Sequence, residues 1–538
     1  MATICYQLRE VTLSLEEDEE ALVTRVAETL GLKKTQLCQW HIVRRGIDAR
    51  RKGRILRVYT VQFTVDAALE ITHGQHCKRL VVVEPTPTVD VFTPAAKAKK
   101  VVVVGMGPAG LFAALTLARC GHQVCLVERG RPVEQRVADV ENFWAGGPLN
   151  PHSNVQFGEG GAGTFSDGKL TTRLKHPLTR TILETLVAFG APEQILSEAK
   201  PHVGTDRLRR VLLNFRKELE RLGVELRYTC CVTDLLGAAQ KVQGVIFNNH
   251  EEFLCDAVVL AVGHSARDTY TWLERRGVAM EPKPFAVGVR VEHPAALINR
   301  IQYGIEGHAN LPTADYALTY NDRDTGRGVY SFCMCPGGKV VQSSSESESV
   351  VVNGMSHYRR AGTLSNSALV VSVRREDFTD ASPLAGVRFQ QHWERRAFEL
   401  AGRDYRAPAQ NLLTFLGQKG GAVVSSCRPG VVEAPLEQTL PGFVNEGLQR
   451  ALPHFNRKMR GFITSEATLV GIETRTSAPL RIVRRQDGQS ATWPGLYPCG
   501  EGAGYAGGIM SAALDGIQQA LAVHHSDDHS STGETCFE

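Results

Sequence analysis

The sequence lacks any run of about eighteen consecutive apolar residues, the length that a membrane-spanning helix needs. Its N-terminal segment, MATICYQLREVTLSLEEDEE, has neither the basic and apolar stretches of a secretory signal nor the acid-poor pattern of an organellar transit peptide. These absences predict a cytoplasmic protein that does not act at a membrane.

Paired cysteine spacings are also missing. The thirteen cysteines are an odd number and are scattered, which indicates reduced intracellular thiols and not a disulfide framework. No second cysteine or histidine pair has the spacing of a zinc site, so no metal is predicted. The net charge of +4 is slight for 538 residues and does not favour a nucleic-acid partner.

The clearest motif lies in residues 99–130, KKVVVVGMGPAGLFAALTLARCGHQVCLVERG. Residues 101–104 are apolar and β-branched, which predicts a buried parallel strand. Gly105, Gly107 and Gly110 follow as GxGxxG, and residues 111–118 predict a helix. In this context the first glycine permits a sharp turn, the second lets a pyrophosphate approach the backbone, and the third lets helix and strand pack closely.

An acidic residue, Glu128, ends the next predicted strand, residues 123–127. A carboxylate at this position accepts both ribose hydroxyls of an adenosine and repels a 2′-phosphate. The motif therefore predicts FAD or NAD and not NADP. The alternative is an ordinary glycine turn of an α/β protein, and the combination of strand, spacing and acid favours the nucleotide.

The C-terminal segment, residues 496–516, distinguishes FAD from NAD. Its sequence LYPCGEGAGYAGGIMSAALDG contains a short strand, Glu501 among glycines, and a helix that begins after Gly507 and Gly508. The acid can hold ribityl hydroxyls, and the helix N-terminus can face the flavin edge where negative charge gathers on reduction. NAD needs neither feature, so the predicted cofactor is FAD.

The N-terminal GxGxxG and the C-terminal Gly-Glu-Gly helix start together resemble the FAD-dependent oxidoreductases of the glutathione-reductase-like superfamily. The segment AVVLAVG at 257–263 resembles that superfamily's Ala-Thr-Gly strand, with Val262 in the threonine position. Six further segments are FGEGGAGTFSDGKLTTR (157–173), AVGHSARDT (261–269), SFCMCPGG (331–338), VNGMS (352–356), NSALVV (366–371) and ETRTSAP (473–479). Together they resemble the uncharacterised FAD-dependent dehydrogenases of bacteria and plastid-bearing organisms. The resemblance covers about residues 100–520 and implies FAD and redox chemistry without naming a substrate.

The predicted fold class is α/β. It comprises a discontinuous, Rossmann-type FAD-binding domain, an inserted α+β substrate domain and a small N-terminal α+β domain, since 538 residues exceed what one core usually holds. The boundaries are an N-terminal domain at 1–83, a proline-containing linker at 84–100, FAD-binding parts at 101–274 and 461–524, a substrate domain at 275–460, and a disordered polar tail at 525–538. Residues 224–235 and 241–247 predict a strand and hairpin that return to the FAD-domain sheet.

The predicted cofactor-binding residues fall in six segments. A backbone contact of Val232 with adenine is implied by the resemblance alone. The glycine cluster at 158–163 runs into TFSDGKL, which favours backbone passing the pyrophosphate over the alternative of an ordinary flexible loop. The full set is Gly105, Gly107, Pro108, Ala109, Gly110, Glu128, Arg129, Gly161, Gly163, Thr164, Ser166, Asp167, Lys169, Val232, Ala261, Gly263, Gly500, Glu501, Gly507, Gly508 and Ile509.

Five residues are candidates for catalysis. Lys169, Arg173 or Arg475 could place a cation beside the N1–C2 edge of the flavin, or each could form a surface ion pair. His264 is a candidate general acid, against a helix-cap or interdomain hydrogen bond. Cys333 and Cys335 are two residues apart in a predicted strand, so their side chains point to the same face. They are either a redox-active thiol pair or small apolar residues of the core.

The predicted N-terminal domain has a basic loop, residues 44–57, with six arginines and one lysine. It is a solvated hairpin or a docking site for RNA, an acidic protein or a membrane surface, and the absence of interleaved aromatic residues favours the hairpin. The sequence does not indicate the oligomeric state.

These features predict an FAD-dependent oxidoreductase that transfers hydride through flavin N5 to or from an unidentified small molecule. Only one complete Rossmann motif is present, so either NADH or NADPH docks transiently or the substrate itself reduces the flavin. The alternative is an FAD-containing binding or RNA-modification accessory protein that uses its basic N-terminal domain.

Overall fold

The computed structural model describes residues 3–67, 69, 71, 78–84, 92–238 and 240–526. Part of the predicted linker, residues 85–91, and nearly all of the predicted tail, residues 527–538, lie outside the described residues. Within the described ranges, no helix is both long enough and apolar enough to cross a membrane.

The N-terminal unit is a four-stranded antiparallel sheet, in the order β2-β3-β1-β4, covered by one helix. Alternating residues of β3, among them Val61, Phe63 and Val65, are buried against the helix. The elements are β1 (Thr3–Leu13), α1 (Ala21–Leu30), β2 (Gln39–Asp48), β3 (Leu56–Asp66) and β4 (Leu80–Val82).

The predicted basic loop at 44–57 is shorter than expected, because β2 continues through Arg44 and Arg45 to Asp48. Arg45 forms an ion pair with Glu19 at 3.0 Å, and its backbone pairs with Ser197 in the next part of the chain. This arginine therefore fastens the N-terminal unit to its neighbour and is not part of a solvated loop.

The chain from residue 92 to residue 282 alternates strands and helices. Its elements are β5 (Lys100–Val104), α2 (Pro108–Arg119), β6 (Gln123–Val127), α3 (Val133–Trp144), α4 (Leu178–Ala188), α5 (Thr205–Arg221), β7 (Glu225–Arg227), β8 (Val232–Ala238), β9 (Lys241–Phe247), β10 (Glu251–Leu254), β11 (Ala257–Leu260), α6 (Arg267–Arg275) and β12 (Met280–Pro282).

The remaining described chain is richer in strands. Its elements are β13 (Phe285–Pro294), α7 (Ala295–Tyr303), β14 (Thr319–Asn321), β15 (Gly328–Cys335), β16 (Lys339–Gln342), β17 (Val352–Met355), β18 (Leu364–Val373), α8 (Ala385–Leu400), β19 (Ala407–Asn411), α9 (Leu412–Phe415), β20 (Val431–Glu433), α10 (Gly442–Lys458), β21 (Thr468–Glu473), β22 (Leu480–Ile482), β23 (Leu496–Pro498) and α11 (Ile509–His525).

A five-stranded parallel sheet, in the order β23-β11-β5-β6-β7, forms the framework for the site. The apolar run of β5 is buried from Val101 to Val104, as expected for a strand with a packed layer on each face. β23 pairs with β11 although more than two hundred residues separate them. The C-terminal segment thus completes the sheet that the GxGxxG motif begins.

The predicted return of residues 224–247 to this sheet is only partly correct. β7 joins the parallel sheet, whereas β8 and β9 pair with β10 in a separate three-stranded antiparallel sheet. The hairpin packs on the parallel sheet through its buried apolar side chains, among them Val245 and Phe247.

The central part of the chain folds around a seven-stranded sheet, in the order β14-β15-β18-β13-β21-β19-β20. β21 lies between β13 and β19, so residues 468–473 belong to this sheet. The predicted boundary at residue 461 is therefore too early, because the chain leaves the central sheet only after Glu473. An apolar layer from α10 covers one face of the sheet.

Candidate functional site

A cavity of about 520 Å³ lies where the parallel sheet meets the central sheet. The ends of β5, β6 and β11 reach it through Val104, Val127 and Ala261, and β15 and β21 reach it through Cys333 and Glu473. Ligands of open parallel sheets bind beyond the carboxyl ends of the strands, so this is the expected place for a nucleotide.

The glycines of GxGxxG have three different structural roles. Gly105 has φ 101°, and a Cβ there would lie 2.4 Å from the Ala261 carbonyl oxygen. A Cβ on Gly110 would lie 1.8 Å from the Gly105 carbonyl oxygen, so this glycine is needed for packing and does not line the cavity. A Cβ on Gly107 would meet only the Gly161 Cα, at 3.9 Å, and Gly107 does line the cavity.

Two helices begin at the cavity. Gly107 is the N-cap of α2 and Gly508 is the N-cap of α11, and neither cap provides a side-chain hydrogen bond. The first N–H groups of each helix have no intrahelical acceptor, and both helix dipoles present their positive end to the cavity. The helices cross closely at Gly516, where a Cβ would lie 2.2 Å from the Ala109 carbonyl oxygen. The arrangement favours an anionic group such as a pyrophosphate.

Glu128 lines the cavity but is already engaged by backbone groups. Its Oε1 accepts from Gly130 N and Gly158 N, and its Oε2 accepts from Met106 N, each at 2.9 Å. Because a carboxylate has about four acceptor positions, one remains. Glu128 was expected to accept both ribose hydroxyls, but with one acceptor position left it can accept one hydroxyl.

A second cluster lines the cavity beside Glu128. The Arg129 guanidinium lies 4.4 Å from the centroid of the Phe157 ring and pairs with Asp268 at 3.0 Å. Val232 and Cys231 line the same cavity. A planar cation and an aromatic ring beside Cys231 and Val232 suit a stacked base, in keeping with the predicted adenine contact at Val232.

The glycine cluster at 158–163 is held from beneath by Arg136, which is fully buried in α3. Its guanidinium donates to the carbonyl oxygens of Asn154, Val155, Gly158 and Glu159. Burial lowers the pKa of Arg136 to about 10, against the charges of nearby carboxylates. Four hydrogen bonds from one buried guanidinium therefore hold this segment at the wall of the cavity.

Thr164 is a predicted cofactor residue that does not line the cavity. Its hydroxyl accepts from Arg136 and donates to the Glu159 carbonyl oxygen, each at 3.2 Å. Gly161 and Gly163, by contrast, line the cavity as predicted. A Cβ on Gly161 would lie 2.9 Å from the Gly107 Cα, so the two glycine segments touch.

Asp167 and Lys169 line the cavity, but Asp167 is mainly a structural anchor. It is buried, pairs with Lys169 at 3.1 Å and with Arg360, and accepts from the Ser356 hydroxyl. Although burial raises it, the charges of Lys169 and Arg360 hold the pKa of Asp167 well below its ordinary value. With two cations facing one carboxylate, this side of the cavity keeps a net positive charge.

Ser166 is also partly committed to the chain, since its hydroxyl donates to the Gly163 carbonyl oxygen at 2.7 Å and accepts from Gly168 N at 3.0 Å. Arg173 is exposed among the residues that line the cavity. Of the three predicted cations, Arg173 is therefore the least fixed in position.

Arg475 lines the cavity within a buried ion network. Glu394 of α8 lies between Arg475 and Arg267, with distances of 2.7 Å to each guanidinium. Arg475 also donates to the hydroxyls of Ser265 and Ser345, at 3.0 and 2.7 Å. Most donors of Arg475 are thus occupied and its charge is balanced, which makes it a weaker flavin cation than the sequence suggests.

His264 lines the cavity beside this network. Its Nδ1 lies 3.0 Å from the Ser265 hydroxyl, and α6 has no side-chain cap. Burial, followed by the charges of Arg475 and Arg267, lowers the pKa of His264 to about 3. The imidazole is therefore neutral near pH 7, so it is not the charged acid that the sequence suggests and does not cap the helix.

We expect His264 to make the protein more sensitive to mild acid. The unfolded imidazole binds a proton near pH 6.5, whereas the folded one does not until about pH 3, so the free energy of unfolding falls as pH drops below 6.5. His264→Gln removes this contribution, so the free energy of unfolding should fall less steeply between about pH 6.5 and 5 in the variant. Urea denaturation at several pH values measures it, and an unchanged slope would contradict the neutral histidine.

Cys333 and Cys335 do not follow simple strand alternation. The register between β15 and β18 shifts between Phe332 and Cys335, and Cys333 has φ 44°. Cys333 lines the cavity, whereas Cys335 is fully buried and does not. The expectation that both thiols occupy one face of a regular strand is therefore wrong, and the cysteine at the cavity is Cys333.

At the C-terminal motif, Glu501 lines the cavity together with Gly507, Gly508 and Ile509. Burial raises the pKa of Glu501 to about 7, opposed by the charge of Lys283. Gly500, which was also predicted to bind the cofactor, does not line the cavity, and its backbone N–H donates to Asp515 at 2.7 Å.

Several cavity residues carried no local signal in the sequence. Glu473 forms a buried ion pair with Arg290 at 2.6 Å, and Asn353 accepts from the same arginine at 2.9 Å. Both lie in segments that resemble the family, ETRTSAP and VNGMS, so those motifs were the available signal. Other cavity residues that were not predicted from the sequence are Gln156, Phe157, Cys231, Thr476 and Ser511.

The residues of the cavity fit FAD. Two uncapped helix N-termini and a face without Cβ atoms at Gly107 suit a pyrophosphate. The remaining acceptor of Glu128 suits a ribose hydroxyl, and Glu501, which precedes α11, is a half-buried carboxyl that lines the same cavity. The donor set therefore matches a dinucleotide with an adenosine at the Glu128 side.

Comparison with known proteins agrees with this geometry. A family model described as an FAD binding domain matches residues 100–161, and one described as an FAD-dependent protein, C-terminal domain-like, matches residues 284–476. A domain of unknown function matches residues 6–64. An uncharacterized protein of Clostridium beijerinckii is 44% identical over 521 residues, which covers 96% of this chain and 97% of that protein. The chain belongs to this family of FAD-dependent proteins.

Solved structures similar to this FAD-dependent protein are distant. The flavin-dependent brominase Bmp2 aligns with 12% identity and a TM-score of 0.35, over 81% of this chain and 80% of that one. A geranylgeranyl bacteriochlorophyll reductase-like protein of Thermoplasma acidophilum aligns with 11% identity and a TM-score of 0.35, over 81% and 80%. These scores are too low to extend the activity of either protein to this chain.

Proposed function

We propose that this FAD-dependent protein is a cytoplasmic oxidoreductase acting on a small organic substrate. When bound, FAD supplies two-electron chemistry by accepting or donating a hydride at N5. The observation that carries the proposal is the single cavity in which uncapped helix N-termini, the Glu128 carboxylate and the charged residues of the central sheet all meet.

The parallel sheet takes the role of a Rossmann-type nucleotide-binding framework. The N-terminus of α2 would hold the pyrophosphate, Glu128 would accept one ribose hydroxyl, and Arg129 with Val232 would border the adenine. The second helix, α11, has Gly508 as its N-cap, and its positive end would face the flavin. The side chains of the central sheet that line the cavity would then face the flavin ring and the substrate.

Lys169 is the cation best placed to favour reduction of the flavin. Its ammonium is fixed by Asp167 at 3.1 Å and by a hydrogen bond to the Met334 carbonyl oxygen. Arg360 shares the same carboxylate, which leaves an excess positive charge beside the cavity. A fixed cation stabilises negative charge that develops at the ring edge.

We expect Lys169→Gln to lower the reduction potential of the bound FAD by about 30–60 mV, because 30 mV corresponds to about 1.4 kcal/mol for a two-electron couple. Equilibration with a reference dye measures the potential. Lys200→Gln is the matched control, since Lys200 is exposed and pairs with Asp315 at 2.6 Å. Equal potentials in Lys169→Gln and the unaltered protein would contradict the assigned role.

Anaerobic mixing of the FAD-loaded protein with NADPH or NADH tests the proposed function. The readout is loss of the visible absorbance of oxidised flavin. Rapid loss supports transient docking of a nicotinamide, whereas no loss directs the search to a metabolite that reduces the flavin itself. If neither nicotinamides nor a broad panel of metabolites changes the flavin absorbance, the oxidoreductase proposal is wrong.

A further inference from the structure

Two cysteines separated by one residue lie in a distorted strand at the cavity, where Cys333 lines the cavity and Cys335 is buried behind it. The β-bulge before Cys335 turns Cys333 toward the cavity, since bulges redirect side chains near functional sites. Cys333 has φ 44°, a conformation that few residues with a side chain adopt and that is concentrated at functional sites. The Cys335 thiol donates to the Cys333 carbonyl oxygen at 3.4 Å, so the Cys335 side chain contacts the backbone of Cys333.

Two cations hold this bulge in place. The Lys169 ammonium donates to the carbonyl oxygen of Met334, the residue between the two cysteines. Arg290 donates to the Cys333 carbonyl oxygen at 3.0 Å, and its Nη1 lies 4.0 Å from the Cys335 Sγ. Cysteines become reactive in electropositive, partly accessible surroundings, and this segment provides them.

The two thiols differ in acidity. A hydrogen bond from the Cys335 thiol, followed by the charges of Lys169 and Arg290, holds the pKa of Cys333 well below its ordinary value although burial raises it. The same hydrogen bond and burial raise the pKa of Cys335. The charged and titratable groups that interact with Cys333 are Lys169, Arg290, Asp167, Glu473 and Glu501.

We propose that Cys333 and Cys335 are a redox-active thiol pair that exchanges two electrons with the bound FAD and acts on a disulfide substrate. The proposal rests on the proposed oxidoreductase function and specifies its substrate class. Cys333 is the attacking thiol because it lines the cavity, and Cys335 is the resolving thiol because it lies buried behind it.

The proposed reaction is a thiol–disulfide exchange followed by reduction of the Cys333–Cys335 bond. The Cys333 thiolate attacks one sulfur of the substrate disulfide, whose S–S bond breaks, and the first substrate thiol leaves with a proton. Cys335 then attacks the Cys333 sulfur, the second substrate thiol leaves, and the Cys333–Cys335 bond forms. Two electrons and two protons from the reduced cofactor restore both thiols, and a reduced nicotinamide dinucleotide is the class of reductant that recharges the cofactor.

Anaerobic titration with dithionite counts the electrons that the fully oxidised, FAD-loaded protein accepts. We expect four electron equivalents per FAD, two for the flavin and two for the thiol pair. Cys333→Ser and Cys335→Ser should each accept two. Cys38→Ser is the control, because Cys38 is exposed and does not line the cavity, and it should accept four. Two equivalents in the unaltered protein would overturn the proposal.

Mass spectrometry of the unaltered chain without FAD gives a second, independent readout. The tryptic peptide 328–339, GVYSFCMCPGGK, contains these two cysteines and no others. After mild oxidation with diamide we expect this peptide to lose two hydrogens and to resist iodoacetamide until it is reduced. Two free, alkylatable thiols under the same conditions would overturn the pair without requiring any variant to fold.

The two proposals fail in different ways. A protein that binds FAD, is reduced by a nicotinamide and accepts two electrons remains an oxidoreductase, but its cysteines are not redox-active. A protein whose flavin no donor reduces contradicts the oxidoreductase function, and the peptide measurement still decides whether the thiols form a pair.

Discussion

Gly107→Ala is expected to weaken FAD binding about a hundredfold, which corresponds to about 2.8 kcal/mol. A Cβ at this position would meet only the Gly161 Cα at 3.9 Å, so it would occupy the space in front of the α2 N-terminus where the pyrophosphate binds. The backbone of Gly107, with φ −77° and ψ 179°, suits alanine. The free energy of unfolding of the FAD-free chain should therefore fall by no more than about 1 kcal/mol.

Two further alanine substitutions serve as controls for Gly107→Ala. Gly110→Ala should prevent correct folding, because its Cβ would lie 1.8 Å from the Gly105 carbonyl oxygen. Gly53→Ala should change neither folding nor FAD affinity, because a Cβ there has no neighbour within 4 Å. Fluorescence titration with FAD and urea denaturation measure the two quantities. Unchanged FAD affinity in Gly107→Ala would show that the dinucleotide does not bind at this turn.

Glu394→Ala is expected to destabilise the protein by about 3–5 kcal/mol, the usual consequence of leaving a buried charge without its partner. Glu394 is fully buried and contacts both Arg267 and Arg475 at 2.7 Å. Its removal leaves two buried guanidiniums facing each other with only Glu346 nearby. Urea denaturation of the variant and the unaltered chain measures the difference.

The matched control is Glu348→Ala, which removes an exposed ion pair with Arg395 at 2.8 Å and should cost less than about 1 kcal/mol. The dependence on pH adds a second test. Although burial raises it, the charges of Arg267 and Arg475 hold the pKa of Glu394 well below its ordinary value. Its stabilisation is therefore present above about pH 4.5 and is lost as pH falls. The free energy of unfolding should consequently fall less steeply with decreasing pH in Glu394→Ala than in the unaltered chain. Equal costs for the two variants would contradict the buried network.

The nucleotide-binding part of the site could be predicted from the sequence because its signals are local. A strand, three glycines, a helix and an acid follow one another within residues 99–130, and each has a steric or electrostatic reason. Gly105 and Gly107 line the cavity as that pattern predicts. The limit of the pattern is Glu128, because one of its three backbone donors, Gly158 N, belongs to a segment that the motif does not include.

The central part of the site could not be predicted because it depends on contacts between distant segments. Arg136 and Glu394 have ordinary surroundings in the sequence, and only the fold shows that each is buried with several polar partners. Strand alternation predicted that Cys333 and Cys335 share one face, but with the register shift against β18 Cys333 lines the cavity and Cys335 does not. The late exit from the central sheet at Glu473 has the same origin, since strand pairing with β13 decides it.

Quantifying flavin in the purified protein tests the central claim most directly. The protein is saturated with FAD, freed of unbound cofactor and then denatured, and the released flavin is identified by chromatography against FAD and FMN standards. The account predicts one FAD per chain in the unaltered protein and in Gly53→Ala, and a large loss in Gly107→Ala. A chain that retains no flavin, or that retains it equally in Gly107→Ala, would contradict FAD binding at this cavity.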